Sequence, residues 1–341
     1  MEKIRLGRTE LMVSRSGFGA LPIQRISFED TKEILRKAYE SGINFFDTAR
    51  AYSDSEEKVG YALSDVRKNI IIATKSHAEN KKTLLEHLET SLKNLNTDYI
   101  DIYQIHNPEV LPNPEDPDGT YAGVLEAKKK GLIRYIGITN HSISNAMKAA
   151  ESNLYDTIQF PLNSLSSEED LKLIQLCKDK DLGIIAMKAM SGGLITNVAS
   201  TFAFLRQFDN LVPIWGIQKM KELEEFINLE KNPPKLDEQM WGIIEKDRSE
   251  LAGEFCRGCG YCLPCPAGID IPNQARISLM MNRSPYAEFL EDSYKEKMNL
   301  INNCINCGHC KSHCPYKLDT PNLLKRELKK YNEFYAAHKN K

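Results

Sequence analysis

Eight short apolar runs, separated by amphipathic segments of helical period, constrain the first two thirds of the chain more tightly than any other feature. The runs are Ser16 to Ala20, Ile43 to Asp47, Ile70 to Thr74, Tyr99 to Ile105, Ile133 to Thr139, Thr157 to Phe160, Gly183 to Met187 and Leu211 to Gly216. Such short runs, with little polar alternation, suit strands covered on both faces, and the sequence between them is long enough for a helix to return the chain. One such helix is expected over Phe28 to Ser41, with Ser27 as N-cap and Asp30 in the capping-box position where Glu or Gln is usual. Another is expected over Leu84 to Leu95, where Leu84, Leu85, Leu88, Leu92 and Leu95 share a face. Eight strands alternating with helices predict an α/β chain with a (β/α)8 TIM-type barrel. No G-x-G-x-x-G follows the first run, which argues against an open dinucleotide-binding sheet.

The flanks of this pattern divide the chain. Residues 3 to 14 read as a hairpin, with Ile4 and Leu6, a G-R-T-E turn, and Leu11 to Val13, placed to cover one end of the barrel. Asn107 to Gly119, rich in proline and acid directly after the fourth run, reads as a long loop at the barrel mouth. Pro233 and Pro234 end the periodic pattern, and a helix over Asp237 to Leu251 follows. Eight of the nine cysteines lie beyond residue 255, the exception being Cys177, which reads as a small core residue. The expected organisation is a barrel over 1–233, a connector over 234–255, and a small, mainly helical cysteine domain over 256–341.

A net charge of −2 provides no global basic field, so neither nucleic acid nor an anionic membrane is an expected partner. The segment Met1 to Arg8 lacks an apolar leader core, and no apolar stretch approaches the ~20 residues that span a bilayer. The expected location is the cytoplasm, and the expected ligands are small solutes and protein partners.

Asp47, Lys75 and His106 end the second, third and fourth strands, so their side chains should meet on one rim of the barrel, with Tyr52 in the loop beside them. The nine residues N-F-F-D-T-A-R-A-Y, taken alone, also read as a strand ending in an N-cap aspartate with a surface tyrosine. The convergence favours chemistry. A phenol with a pKa of about 10 is a poor acid or base near neutrality; a buried ammonium favours its ionised form, and an aspartate keeps that ammonium charged. A histidine completes the set by orienting a carbonyl oxygen. His77 and His141 lie close by in sequence and read equally as pocket-lining or as satisfied loop residues.

Several ordered strings resemble the aldo/keto reductase family: F-D-T-A-x-x-Y at 46–52, A-T-K at 73–75, D-I-Y-Q-I-H at 101–106, G-I-T-N at 137–140, Gln159, and the opening G-F-G-A at 17–20. The resemblance spans roughly residues 1–230. It implies NAD(P)H-dependent reduction of an aldehyde or ketone, or the reverse alcohol oxidation, with Tyr52 as general acid/base, Lys75 and Asp47 tuning it, and His106 orienting substrate. Thr139, Asn140 and Gln159 would hold the nicotinamide carboxamide. Met187 stands where many members stack an aromatic on the ring. Gly216, Ile217 and Glu222 stand where many members grip an adenosine 2′-phosphate with a lysine, a serine and an arginine, with Gln218 and Lys219 between them. Glu222 opposes a phosphate there while Lys219 or Lys221 could compensate, so the cofactor stays open between NADP and NAD.

The cysteines form two runs: Cys256, Cys259, Cys262 and Cys265 as C-x2-C-x2-C-x2-C-P, and Cys304, Cys307, Cys310 and Cys314 as C-x2-C-x2-C-x3-C-P. Both continue as C-P-x-x-(I/L)-D-x-P, ending at Pro272 and Pro321, which marks an internal repeat. The second run resembles that of bacterial ferredoxins, in which the fourth cysteine serves the other cluster. Two [4Fe-4S] clusters are therefore expected, one on Cys256, Cys259, Cys262 and Cys314, the other on Cys304, Cys307, Cys310 and Cys265. Paired structural zinc sites are the alternative, although these favour separated C-x2-C knuckles. From Cys256 onward, thirteen Lys/Arg face eight Asp/Glu. The string K-R-E-L-K-K at 325–330 is a candidate docking face for a ferredoxin or flavodoxin-type carrier, or simply a solvated helix face. Three functions are compatible with this chain: a reductase that exchanges single electrons through its clusters, a nucleotide-binding redox sensor or carrier without turnover, and a reductase whose clusters are structural.

Overall fold

The computed structural model describes residues 1–251, 255–283 and 286–339, so residues 252–254 at the end of the expected connector lie outside the described residues. The chain forms two compact units. One comprises Met1–Ala189 with Ala199–Ile244, the other Met190–Val198 with Glu245–Lys341. The first unit therefore extends past Pro234, and the segment after the seventh barrel strand groups with the second.

The first unit opens with an antiparallel pair, β1 (Lys3–Arg5) and β2 (Met12–Ser14). Eight parallel strands follow: β3 (Gly17–Gly19), β4 (Phe45–Asp47), β5 (Ile71–Ser76), β6 (Ile100–His106), β7 (Ile133–Thr139), β8 (Thr157–Pro161), β9 (Gly183–Met187) and β10 (Leu211–Gly216). They pair in chain order, and β10 closes on β3. Each of the eight apolar runs contributes one strand. Every residue of β5 and β6 is buried, because one face fills the barrel interior while the other meets the surrounding helices. The helices expected to start at Phe28 and Leu84 run over Phe28–Glu40 and Lys81–Asn94.

Strand β4 starts two residues later than the apolar run because Asn44 serves the hairpin. Its Oδ1 accepts from Ser14 N at 2.6 Å, and its Nδ2 donates to Met12 O at 2.9 Å. That clamp draws β1 and β2 over the barrel end. There, Ile4, Leu6, Leu11 and Val13 share one buried cluster with Phe45, Ile71, Ile102, Ile185, Val212 and Ile214. At ~1.5–3 kcal/mol per fully buried aliphatic side chain, the plug contributes substantially to the barrel's stability. Gly7 makes the close approach possible. It sits at φ +51°, and a Cβ there would lie 2.3 Å from Gly183 N.

The second unit is helical, with Ile271–Gln274, Ile277–Arg283, Asp292–Asn299, His309–Ser312 and Thr320–His338 around a core of Ile277, Met298, Leu324 and Tyr331. Tyr331 Oη donates to Phe289 O at 2.8 Å, so its buried hydroxyl is satisfied. The sequence repeat is a repeat of backbone as well. Asp270 and Asp319 precede their helices at φ/ψ of −78°/72° and −76°/72°. Each accepts from the asparagine three residues on, at 2.7 Å from Asn273 and 2.9 Å from Asn322. Between the cysteines, Gly258 and Asn306 have φ of 63° and 53°, and Gly260 and Gly308 have 85° and 77°. Successive left-handed residues turn the loop back on itself, which lets closely spaced thiols face a common centre.

Candidate active site and cysteine loops

Strand order brings three polar side chains together inside the barrel. Asp47 ends β4, Lys75 is the penultimate residue of β5, and Lys75 is in register with Gln104 on β6. Lys75 Nζ donates to Asp47 Oδ1 at 2.6 Å and to Thr48 O at 2.7 Å, with both side chains almost wholly buried. Burial drives the Lys75 pKa down and that of Asp47 up, and their mutual attraction opposes both shifts. Gln104 Nε2 donates to Asp47 Oδ2 at 3.2 Å and Gln159 Nε2 to Oδ1 at 3.5 Å, so the carboxylate is held from three sides.

Tyr52, half-buried in the loop after β4, has its ring centroid 5.3 Å from Lys75 Nζ and 6.1 Å from that of His106, at right angles. His106 is buried at the end of β6. Burial, then the electrostatic influence of His77, Lys75 and His141, holds its pKa well below the ordinary value. Its ring is therefore neutral near pH 7, able to donate from one nitrogen. His77, on the exposed rim, stacks on it with centroids 3.8 Å apart and planes 15° apart. Asp47, Tyr52, Lys75 and His106 thus form one constellation. Such an arrangement can pass a proton from a phenol to a carbonyl oxygen while a histidine aligns that oxygen.

The remaining sequence candidates divide. Gln159 lies inside the constellation, and its buried Oε1 has no hydrogen-bond partner among the described residues. An unpaired buried acceptor is costly, and a carboxamide N–H2 would satisfy it, so this position fits a nicotinamide. Thr139 and Asn140 also tie loops together. Thr139 Oγ1 accepts from Asn107 N at 3.0 Å, and Asn140 donates to Pro108 O at 3.0 Å and accepts from Ser142 N at 2.7 Å. Met187 packs against the barrel core. Gly216, Gln218 and Lys219 form the turn from β10 into the helix Met220–Lys231. There, the Glu222 carboxylate accepts from Gln218 N at 2.9 Å and Lys219 N at 3.1 Å.

Two participants escaped the sequence reading. Gln104, two residues before His106 and hence on the same strand face, carried a period-2 signal. Glu56 is fully buried, accepting from Thr74 Oγ1 at 2.7 Å, with Arg50 Nη1 3.7 Å away. Its setting, S-D-S-E-E, resembles a solvated helix start and gave no signal.

In the second unit the cysteines group across the repeat. Cys256 is influenced electrostatically by Cys259 and Cys314, Cys310 by Cys304, Cys307 and Cys265, and Cys262 by Cys310 as well as by Cys256 and Cys259. Cys262, Cys265, Cys304, Cys307 and Cys310 also line one cavity with the apolar Ile269, Ile271, Ile305 and Leu324. Gly258 N points at Cys256 Sγ from 3.4 Å, the N–H to sulfur contact that thiolate clusters use. Among the described residues no three His, Cys, Asp or Glu side chains close around a single-ion position. Five cysteines on one apolar-lined cavity are more than a single tetrahedral ion would use.

A closed barrel with a buried ion pair, a tyrosine and a histidine on its rim defines a class: a (β/α)8 oxidoreductase. Residues 16–203 match the model of the aldo/keto reductase family, and residues 255–319 match a 4Fe-4S dicluster domain. The chain belongs to the aldo/keto reductase family. It is 33% identical over 216 residues to the aldo-keto reductase YhdN of Bacillus subtilis (strain 168), a match covering 58% of this chain and 64% of that protein. It is 29% identical over 226 residues to the NADH-specific methylglyoxal reductase of Escherichia coli (strain K12), covering 58% and 69%. An aldo-keto reductase from Bacillus halodurans in its holo form shares the fold, with a TM-score of 0.62 at 22% identity over 72% of this chain and 96% of that one. The match spans less than two thirds of the length of YhdN. No helix among the described residues is long and apolar enough to cross a membrane.

Proposed function

We propose that the barrel reduces a small aldehyde or ketone with NADH, or oxidises the corresponding alcohol, and that the cysteine unit carries two [4Fe-4S] clusters exchanging single electrons with a small protein carrier. The observation that carries the first part is the buried Lys75–Asp47 pair, 2.6 Å apart, beside Tyr52 and His106. In this reading Tyr52 delivers the proton, Lys75 favours its departure, Asp47 keeps Lys75 charged, and neutral His106 donates to the carbonyl oxygen. Gln159 Oε1 receives the carboxamide, and Thr139 and Asn140 hold the loops around it. When bound, the nicotinamide supplies a hydride, and the clusters supply one-electron capacity.

Glu222 favours NADH over NADPH. Barrels commonly seat phosphates at the loops after strands 7 and 8 and on a nearby helix N-terminus, and here a carboxylate already occupies those N–H donors. The likeness to a relative named for NADH and methylglyoxal supports the same choice and makes methylglyoxal the first substrate to try.

The test is anaerobic oxidation of NADH and NADPH by a panel of carbonyls. Tyr52→Phe should lower kcat by ~10²–10⁴-fold while leaving NADH binding intact. A variant that turns over at the wild-type rate would remove Tyr52 as the acid. Coupling is read separately: NADH added to the oxidised, iron-loaded protein should bleach its visible absorbance, one hydride balancing two one-electron reductions and one released proton. An unchanged spectrum would leave the clusters outside the nicotinamide route.

A further inference from the structure

The two cysteine runs differ in how they meet solvent, although they repeat each other in sequence. Around the first run, Cys256, Arg257, Gly258, Cys259 and Tyr261 are partly covered and Cys262 is buried, exposure beginning only at Leu263, 43% exposed, and Pro264. In the second, Asn302, Asn303, Ile305, Asn306 and Cys307 form an exposed stretch, with Ile305 at 67% exposure. A surface groove runs beside this stretch, lined by Cys304, Asn306, Lys325, Leu328, Lys329 and Asn332 among others, with Glu333 as the acid among its described lining residues.

Charge is unbalanced here. Between residues 302 and 330 the sequence has six Lys/Arg and two Asp/Glu. Both acids are taken: Asp319 lies 3.7 Å from Lys311, and Glu327 lies 3.1 Å from Lys330. Lys317, Lys325, Arg326 and Lys329 are exposed and make no ion pair among the described residues. An exposed isoleucine set among unpaired cations has the composition of a transient protein interface, an apolar centre with a charged rim.

We propose that the face formed by Ile305, Cys307 and the Lys325–Lys329 side of the C-terminal helix is the docking surface for a small acidic one-electron carrier protein, and that the cluster on Cys304, Cys307, Cys310 and Cys265 is where its electron enters. The proposal rests on the cluster reading above and adds which cluster is external and what its partner must be. Transfer needs the donor and acceptor centres close together, which favours the quartet whose own cysteine is exposed. One electron leaves the reduced carrier and reduces one cluster by one; no atom moves. Nucleic acid would also meet the cations, yet an exposed isoleucine and a redox centre beneath it give it no role.

The experiment uses the full, iron-loaded protein and a reduced acidic bacterial ferredoxin. Lys325→Glu with Lys329→Glu, both on the solvent side of the helix, should weaken ferredoxin binding at least tenfold at low ionic strength and flatten its salt dependence. Cluster bleaching by ferredoxin in stopped flow should slow in parallel, while bleaching by dithionite and NADH-dependent carbonyl reduction should hold. Ile305→Ser should weaken binding without changing the salt slope. Unchanged ferredoxin affinity in the charge-swapped protein would overturn the proposal, even if the cluster potential moved, because the cations would then serve only the cluster. Binding of a DNA oligonucleotide that ferredoxin cannot displace would also overturn it. Absence of iron in the wild type would instead defeat the cluster reading, an outcome distinguishable by metal analysis before any binding is measured.

Discussion

His141 shows how much a single buried ring can bias this protein toward neutral pH. Burial, reinforced by the nearby Lys188 charge, lowers its pKa from 6.5 to about 3. Between those values the unfolded chain binds a proton that the native state refuses, so stability rises with pH across this window and is lost as pH falls below the unfolded value. His106, shifted the same way by burial, adds to the effect. The urea midpoint of the barrel should therefore drop on moving from pH 7.5 to 5.5, and His141→Asn should shrink that drop. Trp215 and Trp241 both belong to the first unit, so tryptophan fluorescence reads it directly. An identical pH slope in the variant would assign the acid sensitivity elsewhere. The same strand-end logic explains what the sequence made visible. Lys75 and His106 could be placed because they close successive apolar runs and so reach one rim, and Gln104, two residues before His106, shares its face. The double engagement of the Asn140 side chain could not be foreseen, because it depends on the path of the loop at Pro108.

At the level of elements, the eight strands were legible because a barrel strand, buried on both sides, leaves an uninterrupted apolar run. Their ends were less so. Strand β4 loses Asn44 to the hairpin, and β5 runs on to Ser76, so that Lys75, expected at a strand end, sits one residue inside it, while Asp47 and His106 end β4 and β6 as expected. The grouping of Met190–Val198 with the second unit had no signature in sequence. It arises from long-range bonds within that unit, Arg276 Nη1 to Gly192 O and Arg283 Nη1 to Leu194 O, both 2.8 Å. The cysteine repeat was fully legible, and its matched dihedrals give the expected exchange of fourth cysteines a sharp test. Under exchange, Cys314→Ser should remove the same cluster as Cys259→Ser. Each variant should lose half of the iron, and the surviving cluster should titrate at the same potential in both. If the survivor in Cys314→Ser titrates instead like that of Cys307→Ser, each run keeps its own fourth cysteine.

For the whole molecule, the division of labour follows the division of the core. Every residue proposed for hydride chemistry lies in the first unit and all eight clustered cysteines lie in the second, which packs around its own buried set of Ile277, Met298, Leu324 and Tyr331. Direct reduction of a carbonyl by NADH requires a nicotinamide, the Lys75–Asp47 pair and Tyr52, none of which depends on iron. Electron exchange with a carrier requires the thiolates and nothing on the barrel rim. Stripping the clusters with a chelator under oxidising conditions should therefore abolish carrier-driven chemistry and visible absorbance. It should leave tryptophan fluorescence unchanged and keep kcat/KM for NADH-dependent carbonyl reduction within about threefold, a change of less than ~1 kcal/mol in transition-state stabilisation. Thiolate loops without their clusters retain the Tyr331-centred core, so the second unit should loosen locally before it unfolds. If carbonyl reduction falls with iron content while fluorescence holds, the clusters take part in the nicotinamide route itself. The barrel would then be one half of a single electron-transfer enzyme, and not an independent reductase joined to a carrier domain.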